Sequence, residues 1–360
     1  MTFSPLTLRT ANILVLSAAV MFFLCNVSST AYAQESFFEG KTLTIIEGRA
    51  PGGTGDIRVR TLVPFLEKYI PGNPKIILEY MPGGGSRIAA NHLFSSARPD
   101  GLTIGNMSSG VVSLGILKAT GVLYDLDKFV FLGSPFSVHQ AVLVTRKALG
   151  LDSIEKLRAA KGVRIGGQSV GFSTYNEGRL FAYIIGLNDP VFITGYAGAE
   201  IDPAMMRGEL DGRATSGDTV LRRNPEWLKG DLIDFQSILE VPKGTKHDHP
   251  IFAKLPTLES LAKTDLHRKV IGMQRAFRLV GQPFIAPPGI PADRLAMIQE
   301  GFRKTFQDPE FKKAYEKFTA SDATPIMPED HAQAVKDIPR DPEVVEIFEK
   351  LVGGGPLPPR

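Results

Sequence analysis

The sequence predicts a doubly wound α/β protein of about two domains, preceded by an export signal. Three observations predict it. β-rich runs alternate with helical patterns for most of the chain. Glycine-rich turns follow several of those runs and lead directly into helices. A chain of 360 residues is the length of about two domains. With 43% hydrophobic and 22% charged residues, the composition excludes a fully disordered, collagen-like or polytopic membrane chain. Lys and Arg number 41 against 38 Asp and Glu, for a net charge of +3. The charges are mixed along the chain, so no footprint for nucleic acid is expected.

The first 33 residues read as a cleaved signal peptide. Arg9 is followed by the apolar run from Ala11 to Cys25 and then by Ala31-Tyr32-Ala33. A basic start, a short apolar core and small residues before a cleavage site define an export signal. The run is short for a membrane anchor, since a spanning helix needs about 20 residues. Phe22, Phe23 and Leu24 ahead of Cys25 are too bulky for a lipid-attachment box. Cleavage after Ala33 starts the mature chain at Gln34 and removes Cys25, the only cysteine. The exported chain then has no disulfide, no thiol nucleophile and no thiolate metal ligand. A periplasmic location follows from this reading.

Beyond the signal, Thr42–Ile46 is a strand and Ile57–Tyr69 a helix. Ile76–Tyr80 is a strand, and Pro82-Gly83-Gly84-Gly85 turns into a helix from about Ser86 to Ala97. Thr103–Met107 is a third strand. The pattern restarts after Gly133, with a strand at Ala141–Val144, a short helix at Ile154–Ala160 and a strand at Val163–Ile165. A helix over Thr174–Ile185, a strand at Val191–Ile193 and a helix over Pro203–Arg207 follow. Trp227 is a packing residue. Phe284–Ala286 is a late strand, and helices over Pro291–Phe306 and Pro309–Phe318 each begin with proline, which suits a first turn. The Gly/Pro-rich tail from Gly353 to Arg360 is expected to fray.

Two strand-to-helix loops carry the candidate chemistry. Arg49-Ala50-Pro51-Gly52-Gly53-Thr54-Gly55-Asp56 offers backbone N–H groups ahead of a helix, an anion-binding arrangement. It is neither a Walker loop nor a dinucleotide fingerprint, and no cofactor is expected. Asp56 would oppose a bound carboxylate, so it is expected to cap its helix or to receive a different ligand group. Gly166-Gly167-Gln168-Ser169-Val170-Gly171-Phe172-Ser173-Thr174 is the second loop. Within it, Gly167-Gln168-Ser169-Val170-Gly171 matches a nucleophile elbow. An exported serine hydrolase using Ser169, with His247, His249, His267 or His331 as base, is therefore an alternative. That reading requires a histidine within hydrogen-bond reach of Ser169. His247-Asp248-His249 has a spacing two zinc ligands could use, but a third has no address and the segment reads as a solvated loop.

Six motifs in order complete the pattern. They are Pro51-Gly52-Gly53-Thr54-Gly55-Asp56, Met81-Pro82-Gly83-Gly84-Gly85-Ser86, Arg98-Pro99-Asp100-Gly101-Leu102-Thr103-Ile104, Gly195-Tyr196-Ala197-Gly198-Ala199, Leu255-Pro256-Thr257-Leu258-Glu259 and Ala286-Pro287-Pro288-Gly289-Ile290-Pro291. Together they resemble the extracytoplasmic solute receptors of the tripartite tricarboxylate transporters, the Bug-type receptors, over nearly the whole mature chain. The resemblance implies a type II periplasmic binding protein fold and a receptor without enzymatic activity. Residues 34–136 and 279–360 would form a discontinuous first domain and residues 137–278 the second.

It further implies a small organic mono- or dicarboxylate ligand, closure like a Venus flytrap, delivery to membrane permease subunits, and a monomeric state. A receptor that has turned to signalling is the other class. The implied ligand residues are Arg49, Gly52, Gly53, Thr54, Asp56, Ser108, Ser109, Gln168, Ser169, Gly171, Ser173, Tyr196 and Arg213. Arg49 replaces an apolar residue or proline of the family pattern, Ala197 replaces a lysine, and Leu210–Asp218 is more polar than the family's strand and turn. Arg49 and Arg213 are candidates for bidentate carboxylate contacts or for structural salt bridges.

Overall fold

Alternating strands and helices settle into two five-stranded sheets. The computed structural model describes residues 37–359 except 231, and the signal-peptide reading on residues 1–33 lies outside the described residues. The chain begins β1 (Thr42–Glu47), α1 (Thr54–Tyr69), β2 (Lys75–Tyr80), α2 (Arg87–Ser95), β3 (Thr103–Asn106), α3 (Gly110–Ile116) and β4 (Val130–Gly133). It continues β5 (His139–Arg146), α4 (Ile154–Ala159), β6 (Arg164–Gly166), α5 (Ser173–Ile185), β7 (Val191–Ile193), α6 (Ile201–Met206), β8 (Gly212–Ser216), α7 (Gly217–Arg223) and β9 (Ile233–Val241). Then follow α8 (Pro250–Ala253), α9 (Asp265–Leu279), β10 (Phe284–Ala286), α10 (Ala292–Gln307), α11 (Pro309–Thr319), α12 (Pro328–Lys336) and α13 (Pro342–Val352).

The sheet orders are β2-β1-β3-β10-β4 and β7-β6-β8-β5-β9. Each has the same plan. The first three strands are parallel, and the fourth runs antiparallel to both neighbours. In each sheet the antiparallel strand is the one that joins the halves. β5 enters the second sheet directly after β4, and β10 returns the chain to the first. The register places Ile45 of β1 between Leu78 and Ile104, and Ile165 of β6 between Phe192 and Gly212.

The period of two along β1 divides its side chains between two cores. Leu43 and Ile45 pack with Val59, Leu62 and Leu66 of α1 and with Phe302, Phe306 and Phe311 behind them. Ile46 faces the opposite way, into a core shared with Leu143, Ile165 and α5 of the second half. A third cluster holds Trp227 against Val142, Ile201 and Phe252, so Trp227 packs as expected. α5 is buried on nearly every side, which suits its apolar sequence.

The tail departs from the sequence reading. It was expected to fray, yet its backbone is held. Arg179 of α5, fully buried, donates to the carbonyls of Leu351, Lys350, Gly355 and Pro356 at 2.8–3.2 Å, and Tyr175 donates to that of Gly353 at 2.9 Å. The helix before it, α13, packs against α5 and α9. Among the described residues, no helix is long and apolar enough to cross a membrane.

Candidate functional site

Both sheets send a loop from their second strand into the start of a helix, and the two loops line one cleft of about 440 Å³. On the first side, β1 ends in Glu47, which is fully buried. Arg49 turns back and donates from Nε and Nη2 to the two Glu47 oxygens, and from Nη2 to Asn106 Oδ1. Burial raises the Glu47 carboxyl above the usual range, with Arg49 pulling against it. The Arg49 guanidinium lies over Gly55, where a Cβ would fall 2.8 Å from Arg49 Nε. Glycine is therefore required there by close approach rather than by backbone angle.

Asp56 does not face a ligand alone. Its Oδ2 accepts the Gly52 N–H at 2.8 Å, and its Oδ1 accepts from the Tyr80 hydroxyl at 2.6 Å and from Arg60 Nε at 3.0 Å. Burial and the Asp56 bond push Tyr80 up to about 12, so its proton stays available for that bond. The carboxylate thus turns back across the loop, in the manner of the acidic half of a capping box. α1 starts three residues earlier than its pattern suggested, at Thr54, with Gly53 as a cap that has no side chain. The first-turn N–H groups of a helix have no intrahelical acceptor, and the adjoining residues Gly53, Thr54 and Gly55 line the cleft.

The second loop contains no charge. Gln168 Oε1 accepts the Thr174 hydroxyl at 2.5 Å, and the Gln168 carbonyl accepts the Gly195 N–H at 2.8 Å. Ser169 Oγ accepts the N–H of Gly85, a first-half residue, at 3.1 Å. Next to it, the Gly171 carbonyl fits against two more glycines. A Cβ on Gly85 would lie 2.5 Å from that oxygen and one on Gly110 2.4 Å from it.

The rest of the cleft is polar and rich in arginine. Thr54 Oγ1 lies 3.1 Å from Thr219 Oγ1 and accepts from Arg222 at 3.1 Å, joining the halves at the rim. Arg213 donates to Asp202, and Arg223 lies 3.4 Å from the same carboxylate. Burial pushes Asp202 up, but Arg213, Asn224 and Arg223 outweigh it and hold the carboxyl below its usual range. Deeper in, Arg278 donates to Ser109 Oγ at 3.0 Å and sits 2.9 Å from His139 Nε2. Its Nε is 3.0 Å from Glu177 Oε1, close but poorly aligned for a hydrogen bond. Burial and Arg278 lower the His139 pKa below its ordinary value.

The structure brings nine of the expected residues to the cleft: Arg49, Gly53, Thr54, Asp56, Gln168, Ser169, Ser173, Tyr196 and Arg213. Four lie elsewhere. Gly52 is behind the loop on Asp56. Ser108 donates to the Gly85 carbonyl, Ser109 supports Arg278, and Gly171 packs on Leu114 and the two glycines. Arg49 and Arg213 reach the cleft with carboxylates of their own, which is the salt-bridge reading rather than free ligand arms. Sequence reasoning missed Arg58, His139, Thr215, Arg278 and Gln282 among the lining residues. Only Arg58 had a local signal, three residues beyond Gly55 on the same helix face.

The histidines proposed as a base for Ser169 are engaged elsewhere. His247 lies 3.3 Å from Asp218, with its Nδ1 accepting the His249 N–H, and His249 accepts from Ile251 N–H. His267 accepts from Lys263 N–H, and His331 donates to the Val280 carbonyl. Among the described residues, no three His, Cys, Asp or Glu side chains converge on a point where a metal could sit.

Two mixed sheets flanking a polar cleft define the fold of the periplasmic binding proteins. Solved structures with this fold include the periplasmic binding protein BugD, with a TM-score of 0.65 at 17% identity over 87% of this chain and 98% of that one. MatC from Rhodopseudomonas palustris with bound malate gives 0.64 at 18% identity, covering 88% and 100%. A further R. palustris protein, Rpa4515 with adipate, gives 0.64 at 16% identity, covering 87% and 97%. The structural neighbours are thus Bug- and TctC-type periplasmic binding proteins, as the motifs suggested. No protein-family model matches the sequence, and no curated protein matches it.

Proposed function

We propose that this chain is an extracytoplasmic receptor that captures a small organic carboxylate between its two halves and presents it to a membrane permease. The observation that carries the reading is the cleft itself. Two helix-initiating loops, one from each sheet, border about 440 Å³ lined by hydroxyls, glycine backbone and arginines. That volume lies in the range of small-molecule sites, roughly 300–1,000 Å³. Helix N-termini and guanidiniums favour an anion. The neighbours with malate and adipate support the same ligand chemistry.

In this reading the chain divides at its two crossovers, near residues 134–138 and 280–283, and the halves close on ligand by hinge motion. α13, which lies against α5 and α9, belongs with the second half. Export to the periplasm and a monomeric state complete the proposal. Ser169, bonded to Gly85, serves the meeting of the two halves rather than hydrolysis. Calorimetry against mono- and dicarboxylates, with the matching neutral amides as controls, tests the reading. Micromolar binding of an acid and none of its amide is expected, and a best ligand that is neutral or cationic overturns it.

A further inference from the structure

Five arginines line the cleft, and four of them have a carboxylate within 4.0 Å. Arg49 has Glu47, Arg213 and Arg223 share Asp202, and Arg278 has Glu177. Arg58 differs. It is 5% exposed, its guanidinium stacks 3.9 Å above the Phe136 ring, and among the described residues no carboxylate stands within 4.0 Å of it. Its Nε is buried without a hydrogen-bond partner, and so is Nη1 of Arg49. An unpaired buried cation is strongly unfavourable unless something completes it.

Both orphan donors belong to arginines that line the cleft. Gly55 and Arg58 are three apart on α1, hence on one face, and Arg49 lies against Gly55. Side chains on a helix lean toward its N-terminus, so Arg58 leans toward the turn that Arg49 covers. The helical rise puts Arg58 about 6 Å farther along the axis than Thr54. α1 therefore offers two anion-receiving points, its first-turn amides and, one turn deeper, a guanidinium seat.

We propose that Arg58, with Nη1 of Arg49, is the seat for a second acidic group of the ligand, so that the protein selects dicarboxylates over monocarboxylates. The proposal rests on the carboxylate-receptor reading above. The Phe136 ring covers the Arg58 guanidinium face and the Tyr315 hydroxyl stands beside it, which leaves Nε and the N–H groups turned to the cleft for a carboxylate, a planar group that the fork matches in two bonds. The other arginines hold the walls through their own carboxylates, and Arg58 supplies the charge that the ligand must complement.

The test is calorimetry with four- and six-carbon saturated dicarboxylates and their monoamides, on the parent and on Arg58→Gln. The parent is expected to bind a diacid roughly ten- to a hundredfold more tightly than its monoamide, the worth of a charge-assisted contact. Arg58→Gln should lose that preference while its ligand-free melting temperature holds or rises, because an unpaired buried cation is gone. A purely structural arginine would instead lower the melting temperature and leave the preference intact, and that result overturns the seat. Equal affinity of the parent for diacid and monoamide overturns it too, whatever the variant does, and leaves the receptor reading standing. If the parent binds no organic acid, the receptor reading falls and the seat with it.

Discussion

The β1–α1 and β6–α5 loops hold equivalent places in their sheets and are built from opposite chemistries. Each leaves the second strand of its sheet and starts a helix without a side-chain cap. The first carries Arg49 and Asp56, with Arg58 one turn on, and surrounds them with Glu47, Arg60 and Tyr80. The second, from Gly166 to Thr174, has amides, hydroxyls, Val170 and one aromatic ring, and no charge. One loop therefore fixes charge in space and the other supplies neutral donors, while the charges of the second half stand beyond its loop at Arg213, Arg223 and Arg278. Such a cleft has a direction, and a ligand entering it has a preferred way round.

Cutting a counter-ion from the charged wall should give the largest effect. Glu47→Ala leaves Arg49 buried and unpaired, and breaking a buried pair in this way costs about 3–5 kcal/mol. Urea unfolding should show that loss. A loss below about 1 kcal/mol would mean the first loop is no more electrostatic than the second.

Acid should separate the halves next. His331 on α12 lies behind the first sheet, its ring 5.0 Å from Phe131, and burial pushes its pKa down to about 4. In the unfolded chain histidine titrates near 6.5. The neutral folded form is thus fully stabilising above about pH 6.5, and the contribution fades as pH falls toward about 4, by roughly 3 kcal/mol in all. Glu177 and Asp202, behind the second wall, behave otherwise. Arg278 and His139 outweigh burial at Glu177 and hold its carboxyl below the ordinary range, as the arginines do for Asp202. Their contribution persists above the ordinary carboxylate range and goes only as pH drops beneath it. The buried His139 of β5 adds a slope of the same sign, so stability measured from pH 7 to 4.5 should fall more steeply in the parent than in His331→Gln. Equal slopes would remove this contrast.

Smaller effects belong to the loops themselves. Gly53 has φ −78°, and a Cβ there meets nothing within 4 Å, so Gly53→Ala should fold like the parent. Its methyl would cover the first-turn amides, and carboxylate affinity should drop about tenfold, or 1.4 kcal/mol. Unchanged affinity would remove the first loop's backbone from the site. Gln168→Ala on the neutral wall loses one uncharged hydrogen bond to Thr174, worth about 1 kcal/mol or less in melting measurements.

Elements with strong local patterns were legible in the sequence. β1, α1, α5 and the proline-started α10 and α11 are marked by apolar spacing and turn residues that act over a few positions. α9 was missed because its buried face includes Gln274, Arg275 and Arg278, polar residues satisfied only by distant partners. β9 was missed for a related reason, since Gln236 and Ser237 are buried against Thr145 and the Pro256 carbonyl. The same distinction governs the site. Glycine loops announce themselves, whereas the floor assembles His139 from β5 and Arg278 from α9, which no spacing rule connects. The tail misled for a similar reason, because its composition predicts fraying and the buried Arg179, with Tyr175, overrides it.

The meeting of Gly85, Gly110 and Gly171 has a consequence for ligand size. The two walls touch there through a carbonyl oxygen set against bare Cα atoms, so at that oxygen there is no side chain to rotate or compress. Side-chain rotamers usually give an interface some slack, and freezing them costs entropy. This one has no such slack, and on the proposed closure it would set the minimum gap like the stop of a calliper. A guest that fits within the gap gains both walls fully. One that is a methylene too long must hold the stop open and forfeit the contact, so tolerance for chain length ends in a step rather than a slope.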